Sequence, residues 1–144
     1  MAGLRERVGG RLVLDAEGIV KLADGDRRTR RHYEAARERE GHVVTAACTI
    51  AEVLGGGPSD ARLHRVLNTI TVVPIDKAIG RTAGELLGRT GLSGHRCTID
   101  ALLAAVALGQ PRPVVLLTSD PDDMARLTDE PGRPRAERIA VLRV

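Results

Sequence analysis

The sequence predicts an α/β fold built around a mainly parallel sheet, and two observations lead to this class. Short apolar runs alternate with helical patterns along the chain, which is the arrangement of proteins whose parallel strands are joined by helices. Two of the runs, 12–14 and 114–117, are apolar without interruption, which is typical of strands buried on both faces. Each is followed within three residues by an aspartate, Asp15 or Asp120, and then by a helical pattern. If the two strands are neighbours, both aspartates are expected in the crevice beyond the carboxyl ends of the strands, where such sheets bind ligands.

The remaining elements follow from hydrophobic spacing and from helix-breaking residues. Helices are expected over 17–23, 26–40, 49–54, 59–70, 76–87, 99–108 and 121–127, and short strands over 11–14, 42–45, 71–74, 114–117 and 138–144. Ser59 and Thr98 are the predicted N-caps of the fourth and sixth helices, because a side-chain oxygen can accept from the free N–H groups of a first turn. The last strand is expected at the edge of the sheet.

Length and composition bound the domain organisation. With 144 residues, the chain is expected to be a single domain, 1–144, in which the segments 1–10 and 130–136 are flexible. No apolar run approaches the length of about 18 residues that a membrane span needs, and no leader pattern precedes the first strand. We therefore expect a cytoplasmic protein without membrane contact. Cys48 and Cys97 have no Cys or His at metal-ligand spacing, so both are expected to be buried thiols.

The charge composition leaves nucleic-acid binding open. The chain has 22 Lys and Arg against 19 Asp and Glu, a net charge of +3, and Lys21 and Lys77 are its only lysines. Arginine suits phosphates and carboxylates because its donors match them in pairs, but an excess this small also serves solubility. Tyr33 is the only aromatic residue, which argues against recognition of single strands by base stacking. We interpret the charged helix at 26–40 as a solvated face, with an RNA-binding patch as the alternative.

Asp100 is the most informative acid. It is the only charged residue between Thr98 and Gln110, and the helix that it is expected to open is apolar on nearly every side and should be buried. A buried carboxylate is costly unless it caps a helix, forms a pair or binds a metal. Its position is equally consistent with capping the first turn and with membership of a binding site.

Three other acids also have structural as well as functional interpretations. Asp15 and Asp120 each follow a strand and can cap the next helix, with Pro121 at the first helical position. Glu52 points away from the apolar stripe of its helix, which is typical of a solvated side chain. Together with Asp100, however, these acids form a set whose mutual repulsion a divalent cation would relieve. Carboxylates without paired His or Cys favour Mg²⁺ or Mn²⁺ over Zn²⁺, and such an ion can activate water for phosphodiester hydrolysis.

Four segments resemble the motifs of the PIN-domain family, in particular those of its small VapC-like toxin ribonucleases. These segments are LVLDAEGIVKLA with Asp15, TAACTIAEVLGGG with Glu52, TIDALLAAVAL with Asp100 and VVLLTSDPDDMARL with Asp120. No single motif is specific, but their order, spacing and flanking pattern are similar to those of the family over essentially the whole chain.

The resemblance implies a PIN-like three-layer sandwich with a doubly wound sheet of about five parallel strands. It implies an endoribonuclease that hydrolyses RNA with Mg²⁺ or Mn²⁺, held by Asp15, Glu52, Asp100 and Asp120. Thr118 would orient the fourth of these acids, and Asp123 is a weaker candidate for a fifth ligand. A homodimer and an antitoxin partner protein are also implied, as in type II toxin-antitoxin pairs.

The chain departs from the family pattern at two places, and both concern the affinity for metal. Ala16 and Glu17 follow the first acid where many relatives have Ser or Thr, and Cys97 stands where some relatives have a further acid.

Two other functions stay open. One is a catalytically silent PIN-like module that binds RNA or protein. The other is a haloacid-dehalogenase-like phosphatase, in which Glu17 would replace a required aspartate.

Overall fold

The structure is a computed structural model that describes residues 9–144, so the flexibility expected for residues 1–8 lies outside the described part. Within that part, five strands form one sheet: β1 (Arg11–Leu14), β2 (His42–Ala46), β3 (Thr71–Val73), β4 (Val114–Thr118) and β5 (Ala140–Arg143). Their order is β3-β2-β1-β4-β5, and all neighbouring strands run parallel. The predicted α/β class with about five parallel strands is confirmed.

Helices cover both faces of this sheet, which gives the predicted three layers. Seven lie in the described part of the chain: α1 (Ala16–Ala23), α2 (Arg27–Glu38), α3 (Ala47–Val53), α4 (Ala61–Leu67), α5 (Lys77–Thr90), α6 (Gly94–Leu108) and α7 (Pro121–Leu127). Aspartate side chains cap four of them by accepting a backbone N–H of the first turn: Asp15, Asp26, Asp76 and Asp120. Across residues 9–144, none of the helices combines the length and the apolar character needed to cross a membrane.

The central strands are buried on both faces, as their uninterrupted apolar runs predict. Leu12 and Leu14 belong to a cluster that includes Ile19 of α1 and Leu63 of α4. Val13 belongs to a second cluster, which is built with residues of α5, α6 and α7. Successive side chains of a strand point to opposite faces of the sheet. A single four-residue strand therefore contributes to both layers of the core.

Helix α6 begins five residues before its predicted start. We expected it over 99–108 with Thr98 as the N-cap, but it spans Gly94–Leu108 and follows Ser93. The Thr98 hydroxyl donates instead to the carbonyl of Gly94, a contact that Thr residues make inside helices. The prediction was wrong because the first turn has no apolar stripe, so hydrophobic spacing gave no sign of it.

Helix α4 also begins at a different residue. Ser59 lies within a turn of 3₁₀ helix, and α4 starts at Ala61. Asp60 accepts hydrogen bonds from the N–H groups of Gly55 and Gly56, at 3.0 and 2.6 Å. The loop is thus closed by a carboxylate, and the prediction of Ser59 as an N-cap was wrong.

The elements at the end of the chain agree with prediction more closely. Strand β5 lies at the edge of the sheet, although it is shorter than the predicted 138–144. Cys97 is buried as expected, whereas Cys48 is only partly buried. The flexibility of 130–136 stays a prediction, and Glu130 at its start binds the guanidinium groups of Arg112 and Arg133.

Candidate active site

The carboxyl ends of β1 and β4 lie side by side at the point where the strand order reverses. Leu14 is the register partner of Leu117, and the N–H of Asp15 donates to the carbonyl of Leu117 at 3.1 Å. Strand β1 pairs with β2 on its other side. The strands that follow β1 and β4 in the sequence, β2 and β5, therefore lie on opposite sides of this central pair. Open parallel sheets bind their ligands at such a point. The two strands that end near aspartates are therefore neighbours, which is the condition for both aspartates to lie in one crevice.

Asp15 is buried and forms hydrogen bonds through both carboxylate oxygens. Its Oδ1 accepts the N–H of Gly18 at 2.8 Å, which caps α1. Its Oδ2 accepts the N–H of Ser119 at 2.7 Å and is 3.3 Å from the Ser119 hydroxyl, which also donates to it. The capping interpretation is correct for Asp15, and the same carboxylate also joins the ends of β1 and β4.

Thr118 and Asp120 form the end of β4 and the start of α7. The Thr118 hydroxyl is buried and accepts the backbone N–H of Asp120 at 3.1 Å. Asp120 is exposed, and its Oδ1 accepts the N–H of Asp123 at 3.4 Å, so it caps α7. Thr118 thus holds the backbone of the residue that we expect it to orient.

Asp100 lies in the second turn of α6, where its carboxylate cannot cap the first turn. The start of α6 at Gly94 thereby removes the capping interpretation of this residue. Asp100 is half-buried, and none of the hydrogen bonds of the described residues reaches its carboxylate. Burial, followed by the negative charge of Asp120, raises the pKa of Asp100 to about 6, and weaker contributions come from Glu52, Asp15 and Asp123.

Glu52 lies in the last turn of α3 and is exposed to solvent. Partial burial of its carboxyl group, followed by the charge of Asp15, raises its pKa. Glu52 in turn contributes to the raised pKa of Asp100. These effects indicate that the acid of α3 faces the same edge of the sheet as the acids of β1 and α6.

The predicted acids influence one another through their charges, but their side chains do not lie close enough together to bind one metal ion. Among residues 9–144, no group of three or more His, Cys, Asp or Glu side chains lies close enough together to hold a metal ion. All of the predicted acids nevertheless contribute to the raised pKa of Asp100. The structure therefore brings the predicted acids to one edge of the sheet, where their negative charges repel one another.

Two residues near these acids were not among the predicted site residues. Ser119 donates to Asp15 as described, and its only sequence signal is its place between Thr118 and Asp120. The Sγ of Cys97 lies 4.0 Å from Oδ2 of Asp123. Burial, followed by the charges of Asp123 and Asp100, raises the pKa of the Cys97 thiol. The resemblance to the family already marks this position, because Cys97 stands three residues before Asp100, where some relatives have a further acid, and residues at this spacing are neighbours on a helix.

The donor type of this edge is that of a site for a hard divalent cation, although among residues 9–144 no three of the acids lie within reach of one ion. Carboxylate oxygens are the ligands that Mg²⁺ and Mn²⁺ prefer. Burial, followed by the negative charge of Asp120, raises the pKa of Asp100, and a bound cation would favour the charged carboxylate against both effects.

Comparisons with known proteins agree with this fold. The chain has 22% sequence identity to a chain of a toxin-antitoxin complex from Klebsiella pneumoniae, with a TM-score of 0.60, over 79% of this chain and 90% of the other. It has 14% identity to a chain of VapBC2 from Rickettsia felis bound to a DNA fragment from their promoter, with a TM-score of 0.67, over 93% and 98% of the two chains.

At these low sequence identities, the two similarities show a shared fold and nothing more. A comparison with curated proteins finds no match. The family model of the PIN domain matches residues 12–130, which is most of the chain and contains every predicted site residue. The chain therefore belongs to the PIN domain family.

Proposed function

We propose that this chain is a metal-dependent endoribonuclease that hydrolyses RNA phosphodiester bonds. The observation that carries the proposal is Asp100, a half-buried carboxyl group without a hydrogen bond, whose pKa is raised by burial and by the neighbouring acids. A cluster of uncompensated carboxylates is unfavourable unless a cation neutralises it. Membership of the PIN domain family supports a nuclease as the protein that uses such a cation.

In this proposal Asp15, Glu52, Asp100 and Asp120 hold Mg²⁺ or Mn²⁺, and Asp123 is a weaker candidate. The bound ion would supply an activated water and a clamp for the phosphate. The protein itself orients the residues that would hold the ion. Ser119 and Gly18 hold the two oxygens of Asp15, and Thr118 holds the backbone of Asp120.

The test is cleavage of single-stranded RNA by the purified chain with Mg²⁺ or Mn²⁺. We expect cleavage that stops when EDTA is added and that is lost in Asp100→Asn. Asp129→Asn is the matched control, because Asp129 is an exposed acid outside the predicted set, and it should cleave like the wild type. Cleavage that persists in EDTA or in Asp100→Asn would contradict the mechanism.

We further propose that the chain acts as the toxin of a type II toxin-antitoxin pair and forms a homodimer in the cytoplasm. The toxin role is supported by the likeness of its fold to chains of a toxin-antitoxin complex and of VapBC2. Expression of the chain alone should arrest growth, and co-expression with the antitoxin of a neighbouring reading frame should relieve the arrest. Light scattering of the purified chain tests the dimer.

The main alternative is a catalytically silent PIN domain that binds RNA or protein. That alternative predicts RNA binding without cleavage under every metal condition. Membership of the PIN domain family leaves the phosphatase alternative without support. The exposed Glu17 also takes the place of the second aspartate that such a phosphatase needs.

A further inference from the structure

A pocket opens at the amino ends of the central strands, between the sheet and α2. It has a volume of about 550 Å³, counting the space at its mouth, and its lining includes Gly10 and Arg11 at the start of β1, Gly41 before β2 and Pro113 before β4. Asp15 follows the other end of β1, four residues from Arg11 and thus about 13 Å away at roughly 3.3 Å per residue. This pocket, which we call the amino-edge pocket, is therefore separate from the acidic edge of the sheet.

Small apolar side chains form much of its wall. Helix α2 contributes Ala35 and Ala36, and the strands contribute Leu12 and Val115. Ala36 packs against the cluster that contains Leu12, whereas Ala35 belongs to neither cluster of the core. Both alanines are only half-buried. A ligand with an apolar body would remove this wall from water, which is favourable.

Backbone contacts determine the shape of the amino-edge pocket. The N–H of Arg11 donates to the carbonyl of Pro113 at 2.9 Å, and the N–H of His42 donates to that of Gly10 at 3.0 Å. A Cβ on Gly41 would lie 2.5 Å from the carbonyl oxygen of Gly10, so only glycine allows this close approach. The wall on the side of the strands is therefore formed before any ligand binds, as is usual for ligand sites.

The titratable side chains that line the pocket are all basic. They are Arg11, His32 and Arg39. Within residues 9–144, no ion pair within 4.0 Å includes any of them, although the exposed Glu38 and Glu40 flank Arg39 in the sequence. Burial, followed by the charge of Arg28, lowers the pKa of His32, and no carboxylate contributes to that shift. The charges at the pocket therefore favour an anion.

Arg11 still has donors to offer to such an anion. Its Nη1 donates to the carbonyls of Gly9 and Gly10, which holds the half-buried guanidinium group beside the start of β1. In the described part of the chain, its Nε and Nη2 donate no hydrogen bond. A guanidinium group binds a carboxylate or a phosphate with paired donors. The fixed and partly unused donors of Arg11 thus suit a group of this kind.

We propose that the amino-edge pocket binds a small organic anion, in which one carboxylate or phosphate group is attached to a compact apolar body. The anionic group contacts Arg11 and Arg39, and the apolar body covers Leu12 and Ala35. The volume of about 550 Å³ lies within the range of ligand sites, roughly 300–1,000 Å³. The proposal does not depend on the proposed function, because the pocket shares no residue with the acidic edge.

The test uses anilinonaphthalene sulfonate, an anion with an aromatic body, as a fluorescent probe of the full chain. Octanoate and octyl phosphate compete with the probe, and octanol is the neutral competitor of matched length. We expect a single class of site for the probe. At least one of the two anions should displace it at a concentration about tenfold lower than octanol does, because a charge-assisted hydrogen bond adds to the apolar contact.

Two variants separate the charge from the apolar wall. Arg39→Gln removes a charge and leaves the contacts of Arg11 in place, and its matched control is Arg65→Gln, at an exposed arginine near the end of α4. Ala35→Leu fills the pocket and keeps every charge. Its matched control is Ala78→Leu, the same exchange at an exposed alanine of α5.

We expect Arg39→Gln to weaken binding of the competing anion about fivefold and Ala35→Leu to weaken it at least about tenfold. Each control should stay within about twofold of the wild type, as is usual for surface substitutions. Circular dichroism should show that all four variants are folded. In amide NMR spectra of the wild type, the anion should shift the signals of Gly10 and Gly41 and leave that of Asp100 unchanged.

The proposal would be overturned by a wild type that does not bind the probe, by octanol that competes as well as both anions, or by variants that match their controls. Amide shifts confined to the surroundings of Asp100 would overturn it and assign the anion to the acidic edge. Displacement of the probe by oligouridine and by neither anion would overturn it in favour of RNA. None of these measurements uses RNA cleavage, so a wild type that binds the anion but never cuts RNA would fail only the proposed function.

Discussion

Ser119 donates two hydrogen bonds to one carboxylate oxygen of Asp15, from its N–H at 2.7 Å and from its hydroxyl at 3.3 Å. The two residues are 104 positions apart in the sequence. The other oxygen of Asp15 accepts the N–H of Gly18 at 2.8 Å. Three donors on two elements thus determine the direction of this carboxylate. The ends of β1 and β4 are therefore joined through a side chain as well as through the sheet.

Ser119→Ala removes the hydroxyl contact and keeps the N–H contact. We expect a loss of about 1 kcal/mol or less in the free energy of unfolding, because one net hydrogen bond is worth about that much. We also expect Mn²⁺ to bind several-fold more weakly, since second contacts orient metal-binding carboxylates. Calorimetric titration with Mn²⁺ measures the second effect. Ser59→Ala, an exposed serine in the 3₁₀ turn, is the control, and equal Mn²⁺ affinity in the two variants would contradict the positioning role.

Asp15→Asn and Asp15→Ala separate the charge of Asp15 from its hydrogen bonds. The Asn variant keeps one acceptor oxygen, whereas the Ala variant also loses the cap of α1, which is worth about 1 kcal/mol. We expect both to lose RNA cleavage by at least about a hundredfold, comparable to removal of a group that stabilises charge in an active site. Urea unfolding should rank their stability as wild type, Asn, Ala. An active Asn variant would show that the negative charge is dispensable.

Asp100→Asn is expected to stabilise the metal-free protein at neutral and higher pH. The pKa of Asp100 is raised from 3.8 to about 6 in the folded state, so between these values the folded state binds more protons than the unfolded one. The free energy of unfolding of the wild type therefore falls as pH rises through this window. We expect the variant to be more stable by about 1 kcal/mol above the window, after allowance for partial exposure.

Urea unfolding in EDTA at several pH values measures this difference, which should vanish below pH 3.8, the ordinary pKa of the group. Adding Mn²⁺ should stabilise the wild type more than Asp100→Asn. A variant that is less stable than the wild type at high pH would contradict the burial of an uncompensated charge. Asp129→Asn should change neither quantity.

Glu130→Gln tests a pair that connects α6, the start of β4 and the segment before β5. The Nη1 and Nη2 atoms of Arg112 lie 2.5 and 3.2 Å from the two carboxylate oxygens of Glu130, and Arg112 also donates to the carbonyl of Leu108. Burial opposes ionisation of Glu130, but the hydrogen bonds and charges of Arg112 and Arg133 outweigh it and lower its pKa. We expect the variant to lose about 2 kcal/mol, since hydrogen bonds between charged groups are worth this much.

Because the pKa of Glu130 is lowered, its stabilising effect is present above its ordinary pKa of 4.5 and disappears as pH falls below it. The difference in melting temperature between wild type and variant should shrink accordingly in acid. Glu137→Gln, at an exposed acid of the same region, is the control. Equal melting temperatures for the two variants would show that the Arg112 pair contributes nothing.

Local sequence rules predicted the features that depend on neighbouring residues. The strands around Val13 and Leu116 are uninterrupted apolar runs, and both are buried on the two faces of the sheet. Asp15 and Asp120 were foreseen as capping residues, and they cap α1 and α7. The start of α6 was missed, since its polar first turn has no pattern that distinguishes it from a loop.

The sequence by itself determined the α/β class, the buried strands and the caps of α1 and α7, because hydrophobic period and capping chemistry act over a few residues. Only the tertiary structure decided which groups meet. It placed Ser119 against Asp15 across 104 positions and placed Asp100 beyond the reach of any cap, among the charges of the other acids. These contacts result from the pairing of β1 with β4 and from the packing of α6. A long-range contact of this kind depends on the register between distant elements, and no local sequence pattern encodes that register.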